Sequence, residues 1–312
     1  DIPGTVVTAF FGFCDIRNFT DFTEVLQADV VKVVNGIAEH VHNAVYENYG
    51  APNKNIGDAF LLVWKPQGRV KVQDVADGAL RSYIRIIIEI SRSKELSRIA
   101  NKTDIQRRLP GYYMRLGFGL HYGWAIECTI GSTRKIDASY LSPHVNLSSR
   151  LEAATKQYGV EILLSEDTLL LLSPAVQDLL RMVDRVTVKG SIKPMELYTF
   201  DVPVCVSRGG TLGLDINVSD TTLNADEFFK LVPPSTDQNF RQQFALAMDF
   251  YIGGPDGSQA DWNTARVLME ECLVQRPADG PALAILEYMQ TAANADGSTP
   301  ASWQGYRSLD KK

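Results

Sequence analysis

Apolar and β-branched residues crowd into TVVTAFFGFC at 5–14, a run that predicts a buried strand. The period then lengthens. Val30, Val33, Val34, Ile37, Val41 and Val45 recur on one helical face, and Gly50 closes the segment. AFLLVW at 59–64 predicts another strand, emerging from an Asn-Ile-Gly-Asp turn, and VADGALRSYIRIIIEISR at 75–92 predicts a helix. MRLGFGLHYGWAIECTIG at 114–131 reads as two strands joined near Tyr122–Gly123. HVNLSSRLEAATKQYG at 144–159 reads as an amphipathic helix with Val145, Leu147, Leu151 and Ala154 toward the core. Strands are expected at about 160–165, 182–188 and 195–201. The order β-α-α-β-β-α-β-β-α-β predicts an α+β fold, with helices packed on a ferredoxin-like mixed sheet.

A polar, glycine-containing stretch, VSRGGTLGLDINVSD at 206–220, then predicts a linker, and the pattern beyond it is helical. The expected division is a main domain at 1–203, a linker at 204–222 and a helical C-terminal extension at 223–312. Helices are expected at 240–251, 261–277 and 281–292. The middle one resembles a tetratricopeptide helix, with Ala265, Leu268 and Leu273 at packing positions. At most one and a half repeats fit, whereas a free-standing solenoid needs about three. A helical cap on the main domain is therefore favoured over a module that binds a protein partner.

The composition, 45% hydrophobic and 22% charged in 312 residues, is that of a globular protein. A net charge of −6 argues against nonspecific nucleic-acid binding, which rests on basic surface. Cys14, Cys128, Cys205 and Cys272 are scattered without disulfide or metal spacing and are expected to be reduced thiols in a cytosolic setting. No apolar run approaches the ~20 residues that span a bilayer. The first strand starts almost at Asp1, as in a fragment of a longer protein. The expected location is cytoplasmic, or the cytoplasmic face of a membrane if the parent is a larger membrane protein.

Two aspartates stand at the ends of extended runs: Asp15 after the first strand, and Asp58 in the turn before AFLLVW. Paired carboxylates suit hard cations such as Mg²⁺, which also bridge to phosphate, although an aspartate at a turn is commonly no more than a turn residue. Asn146 and Arg150, four apart, share one face of their helix. The guanidinium can stabilise phosphoryl charge and the amide can orient a ribose or phosphate oxygen. Lys54 and Asp58, also four apart, could be no more than a surface ion pair. Lys189 precedes Gly190 at a strand-to-turn position.

FFGFCDIRNFT, NKNIGDAFLLVW, YLSPHVNLSSRLEAA and VTVKGSIKP, in this order, resemble the landmarks of the class III adenylyl/guanylyl cyclase catalytic domain across roughly residues 5–200. The resemblance implies that sheet fold and two Mg²⁺ or Mn²⁺ ions per site, held by Asp15, Asp58 and the backbone carbonyl of Ile16. It implies that Asn146 and Arg150 orient the ribose and stabilise the transition state, and that Lys189 binds phosphate. The Phe19-Thr20 step of the substrate-binding set is retained, while Asn18 stands where many members carry glycine. The implied reaction is attack of the 3′-hydroxyl of a nucleoside triphosphate on its own α-phosphorus, releasing pyrophosphate.

Base choice is carried, by resemblance, on Lys54 and Ser139. A lysine only donates, which suits N1 of adenine and not the N1–H of guanine, so ATP is the expected substrate. Ser139 replaces a frequent aspartate and is similar to the threonine of a bicarbonate-responsive subclass, which implies bicarbonate as a regulator. The alternatives are a guanylyl cyclase and a catalytically silent regulatory or dimerisation module; a diguanylate cyclase ranks lower because no GGDEF-like turn is present. The resemblance further implies a head-to-tail homodimer with shared sites, placing Lys54 and Asp58 of one chain in two different active sites.

Overall fold

The computed structural model of the chain describes residues 4–132, 135–188, 193–203 and 217–309. It opens with β1 (Thr5–Ile16), α1 (Phe19–Leu26), α2 (Val30–Tyr46), β2 (Ala51–Ile56), β3 (Ala59–Trp64) and α3 (Val72–Arg92). Two short helices, α4 (Lys94–Ala100) and α5 (Thr103–Arg108), lead to β4 (Leu116–Ser132), β5 (Lys135–Leu141) and α6 (Pro143–Tyr158). Next come β6 (Ile162–Ser165), α7 (Glu166–Leu169), α8 (Pro174–Gln177), β7 (Arg181–Thr187) and β8 (Met195–Thr199). The C-terminal part holds α9 (Ala225–Leu231), α10 (Gln238–Ile252), α11 (Trp262–Gln275), α12 (Gly280–Ala292) and β9 (Arg307–Ser308).

Among the described residues nine strands form one mixed sheet in the order β2-β3-β1-β4-β6-β8-β7-β9, with β5 paired to β4 off this path. β1 sits between β3 and β4, antiparallel to both, and β6 joins β4 in parallel. The apolar faces of α2 and α3 cover one side of the sheet, where Phe10, Leu62, Trp64, Tyr83 and Phe118 share the main core. α6 covers the other side, with Val145 beside Phe11 and Ala125.

Residues 116–132 form a single strand, where the sequence pattern suggests two. The β1–β4 register runs unbroken from Thr5 opposite Glu127 to Ile16 opposite Leu116, so Gly123 does not turn the chain. It makes room instead: a Cβ there would fall 2.3 Å from the His144 ring. β2 and β5 escape the pattern because APNKNI is polar and proline-containing, as befits the sheet's edge, and KIDASYL lacks a clean apolar alternation.

Phe228, Phe229 and Val232, in and just after α9, enter the same core as β1. Helices α10–α12 build a second core around Tyr251, Trp262, Met269 and Ile285. This layer leans on the sheet, α10 against β7 and α12 against α6 and β7. Cys14, Cys128 and Cys272 are free thiols, and Cys205 lies outside the described residues. Among the described residues no helix is long and apolar enough to cross a membrane.

Candidate functional site

The antiparallel pairing of β1 and β3 puts Asp15 opposite Ala59, one residue past Asp58. Gly57, at φ 65°, supplies the left-handed step of the connecting turn. The Ile16 N–H donates to the Asp58 carbonyl at 3.2 Å, fastening the turn to the strand end. Both carboxylates and Ile16 thereby line one cleft of about 490 Å³, together with Phe19 and Thr20 of α1. Asn18 adopts φ 58° at the N-cap, a left-handed conformation that asparagine tolerates better than most residues.

This cleft concentrates negative charge. Burial pushes the Asp15 carboxyl up to about 6, with repulsion from Glu152 and Asp58 adding to it. Lys156 opposes the rise, its Nζ standing 3.5 Å from Asp15 Oδ2. Behind the cleft Arg17 donates to Glu152 at 2.8 Å, both side chains buried, and also to the Thr155 hydroxyl.

Asn146 and Arg150 lie elsewhere. The Ser142 side chain caps α6 by accepting from His144 N–H at 3.0 Å, and Pro143 fits the first helical position. Asn146 and Arg150 line a second cavity of about 390 Å³, shared with His144, Glu166, Asp167 and Lys193. Arg150 Nη1 is buried yet has no hydrogen-bond partner. At the cavity wall His121 Nε2 meets His144 Nδ1 at 2.8 Å, while His121 Nδ1 meets Ser165 Oγ at 2.7 Å. Burial, reinforced by His144, drives the His121 pKa down to about 3, so this imidazole is neutral at physiological pH.

Lys54 donates to Ser139 Oγ at 3.1 Å and lines neither cavity. No hydrogen bond or ion pair joins it to Asp58. Within one chain the candidate residues therefore separate into an acidic cleft (Asp15, Ile16, Asp58, Phe19, Thr20), a donor-bearing cavity (Asn146, Arg150) and the Lys54–Ser139 pair. Lys189 lies outside the described residues.

Residues 5–202 match the family described as the adenylate and guanylate cyclase catalytic domain. The chain belongs to this family. Over 189 residues it is 30% identical to an adenylate cyclase of Anabaena cylindrica, covering 60% of this chain and 35% of that protein. Over 194 residues it is 28% identical to the terminal-differentiation-specific adenylate cyclase of Dictyostelium discoideum, covering 62% of this chain and 8% of that one. The chain thus spans about a third of the first relative and under a tenth of the second. A bacterial light-regulated adenylyl cyclase superposes with a TM-score of 0.51 at 26% identity, covering 64% of this chain and 52% of that one. The adenylyl cyclase CyaB from P. aeruginosa gives 0.53 at 21% identity, a likeness of fold covering 63% of this chain and 95% of that one. Members of the family act on a nucleotide, commonly dimerise and generally use divalent metal ions.

The acidic cleft of this cyclase domain fits a hard cation by its own chemistry. Two carboxylates face each other at a cost that a cation removes, and hard cations accept few protein oxygens when phosphate completes the shell. Among the described residues no group of three or more His, Cys, Asp or Glu side chains is set to hold a metal alone.

Arg17, Glu152, Lys156, His121 and His144 surround these sites without having been picked out from the sequence. One signal was available. Glu152 and Lys156 are four apart on a different face of α6 from Asn146 and Arg150, so that helix carries two polar stripes. The Arg17–Glu152 and His121–His144 pairs leave no such trace, since their partners are 135 and 23 residues apart.

Proposed function

We propose that this domain is an adenylyl cyclase, converting ATP to 3′,5′-cyclic AMP and pyrophosphate at sites shared between two copies of the chain. The observation that carries the reading is the separation of an acidic cleft from a cavity with an orphaned guanidinium nitrogen. Each half lacks what the other holds, and a two-fold dimer joins unlike halves twice.

In this reading Asp15, Asp58 and the Ile16 carbonyl hold the divalent cations, two per site. When bound there, Mg²⁺ or Mn²⁺ supplies Lewis acidity, lowering the pKa of the 3′-hydroxyl and neutralising the leaving pyrophosphate. No side chain caps the start of α1, which leaves the backbone at Phe19 and Thr20 to receive the phosphates. The partner copy brings Asn146 to orient the ribose and Arg150 to balance charge on the α-phosphoryl group as the O3′–P bond forms and the bond to pyrophosphate breaks. Lys189 is assigned to the phosphate tail. Lys54 donates to N1 of adenine and Ser139 accepts from its amine, the pair being pre-set by their own hydrogen bond. The helical residues 223–312 act as a cap on the cyclase domain at 1–203.

The test is parallel turnover of ATP and GTP with Mg²⁺ and with Mn²⁺, each with and without bicarbonate. Cyclic AMP from ATP, with little cyclic GMP from GTP, is expected. Preferential turnover of GTP would replace the base assignment by a guanylyl cyclase, and no cyclic product from a folded dimer would leave a silent module. Stimulation by bicarbonate would assign that regulator to Ser139's subclass.

A further inference from the structure

The cavity holding Asn146 and Arg150 is backed by residues beyond the family's own boundary at 202. Its apolar lining residues Leu147, Val188 and Met195 belong to a cluster built on Leu151, Tyr158, Val186 and Leu197. Two members of that cluster come from the C-terminal layer: Ala284 of α12, and Leu309 just after β9. β9 runs parallel to β7 with Arg307 opposite Val186 and Ser308 opposite Thr187, and Leu309 N–H donates to the Thr187 carbonyl at 3.0 Å. The C-terminal strand thus grips β7 up to the residue before Val188.

A buried charge cluster locks this grip. Arg307 Nε donates to Asp184 Oδ2 at 2.5 Å, with the aspartate fully buried. The same carboxylate oxygen accepts from the Tyr158 hydroxyl at 2.6 Å, and the Arg307 guanidinium lies over the Tyr158 and Tyr288 rings at 5.2 and 5.0 Å. Tyr158 is the last residue of α6, two turns and roughly 12 Å beyond Arg150 at 1.5 Å per residue. A second cluster bolts the layer down nearby: Arg181 of β7 bridges Asp201 and Asp279, and Asp279 caps α12.

We propose that Arg307 is a positioning residue for Asn146 and Arg150, acting through Asp184 and Tyr158. The C-terminal layer is then a brace for the catalytic helix, built into the cyclase unit. The kinetic arm of its test rests on the cyclase reading; the exchange arm does not.

The test uses the full chain carrying Asp184→Asn with Arg307→Gln, which removes both charges together and leaves no buried ion alone. Amide hydrogen exchange is followed in α6 and, as a reference, in α2, and kcat and KM are measured for ATP. Expected are about tenfold faster exchange in α6 with α2 unchanged, and kcat lowered about tenfold with KM within about twofold. Arg307→Lys should recover most of both. Unchanged α6 exchange overturns the proposal, as does equal loosening of α2 and α6, the mark of a global loss of stability. If the double variant does not fold, Leu309→Ala loosens the same strand without touching a charge and is read by the same outcomes. Should the wild-type chain form no cyclic nucleotide, the cyclase reading fails while the exchange result still decides the brace.

Discussion

α6 separates two regions of opposite character. On one face Thr155 and Lys156 border a cleft, with Glu152 behind it, where Asp15 and Asp58 crowd negative charge together. On the other, Asn146 and Arg150 open into a cavity with a guanidinium nitrogen that no described group accepts. The first region is frustrated by repulsion between its carboxylates, and the second leaves a buried donor unpaired. Lys156, 3.5 Å from Asp15, offsets only part of the repulsion in the first region. Under the proposed dimer, each region is completed by a partner copy of the chain.

The largest effects should come from emptying either region. Asp58→Ala and Arg150→Ala should each lower cyclic AMP formation about 10³-fold or more. Mixed in equal amounts they should recover about a quarter of wild-type activity, since half the dimers are mixed and each has one intact site. No recovery despite demonstrated subunit exchange would place both regions in a single-chain site. Asp15→Asn should abolish activity equally while stabilising the metal-free fold by ~0.5–2 kcal/mol, because it removes repulsion that only a cation relieves. A lower urea midpoint would show that the cleft is not frustrated.

The wall between the regions is tested next. Arg17→Met leaves Glu152 buried and unpaired and should cost about 3–5 kcal/mol by urea unfolding, most of it regained in Arg17→Met with Glu152→Leu. If the double change costs as much as the single one, the ion pair itself supports the fold.

A smaller effect tests the third group. Lys54→Glu replaces a donor by an acceptor and should lower kcat/KM for ATP by about 1–3 kcal/mol of transition-state binding while raising that for GTP. An unaltered ATP to GTP ratio would remove Lys54 from base recognition.

A pH-dependent effect tests the cavity side. The folded His121 pKa, about 3, lies below the unfolded value of 6.5, so the unfolded chain binds the extra proton first. Its contribution is complete above about pH 6.5 and is lost as pH falls toward 3, at up to about 1.4 kcal/mol per pH unit. His121→Gln should flatten the decline in stability between pH 6.5 and 4.5, and an unchanged slope would mean that His121 is not buried neutral.

Strands β1 and β3, helices α2, α3 and α6, and the three C-terminal helices were legible because each writes its own short-range period of apolar residues. So were Asp15 and Asp58 at the ends of apolar runs, and Asn146 and Arg150 four apart on one helix. β2, β5 and the unbroken course of β4 were not, because an edge strand and a strand passing beneath a histidine ring take their form from neighbours. The lysine and aspartate of KNIGDAF show the division most plainly. Their spacing is a property of the sequence, but Lys54 goes to Ser139 and Asp58 to the Asp15 cleft because β2, β3 and β5 are laid out in that way. The same holds for Arg17 with Glu152, His121 with His144 and Arg307 with Asp184. A buried polar group must find its partner wherever the folded chain brings one, and no local period records that choice.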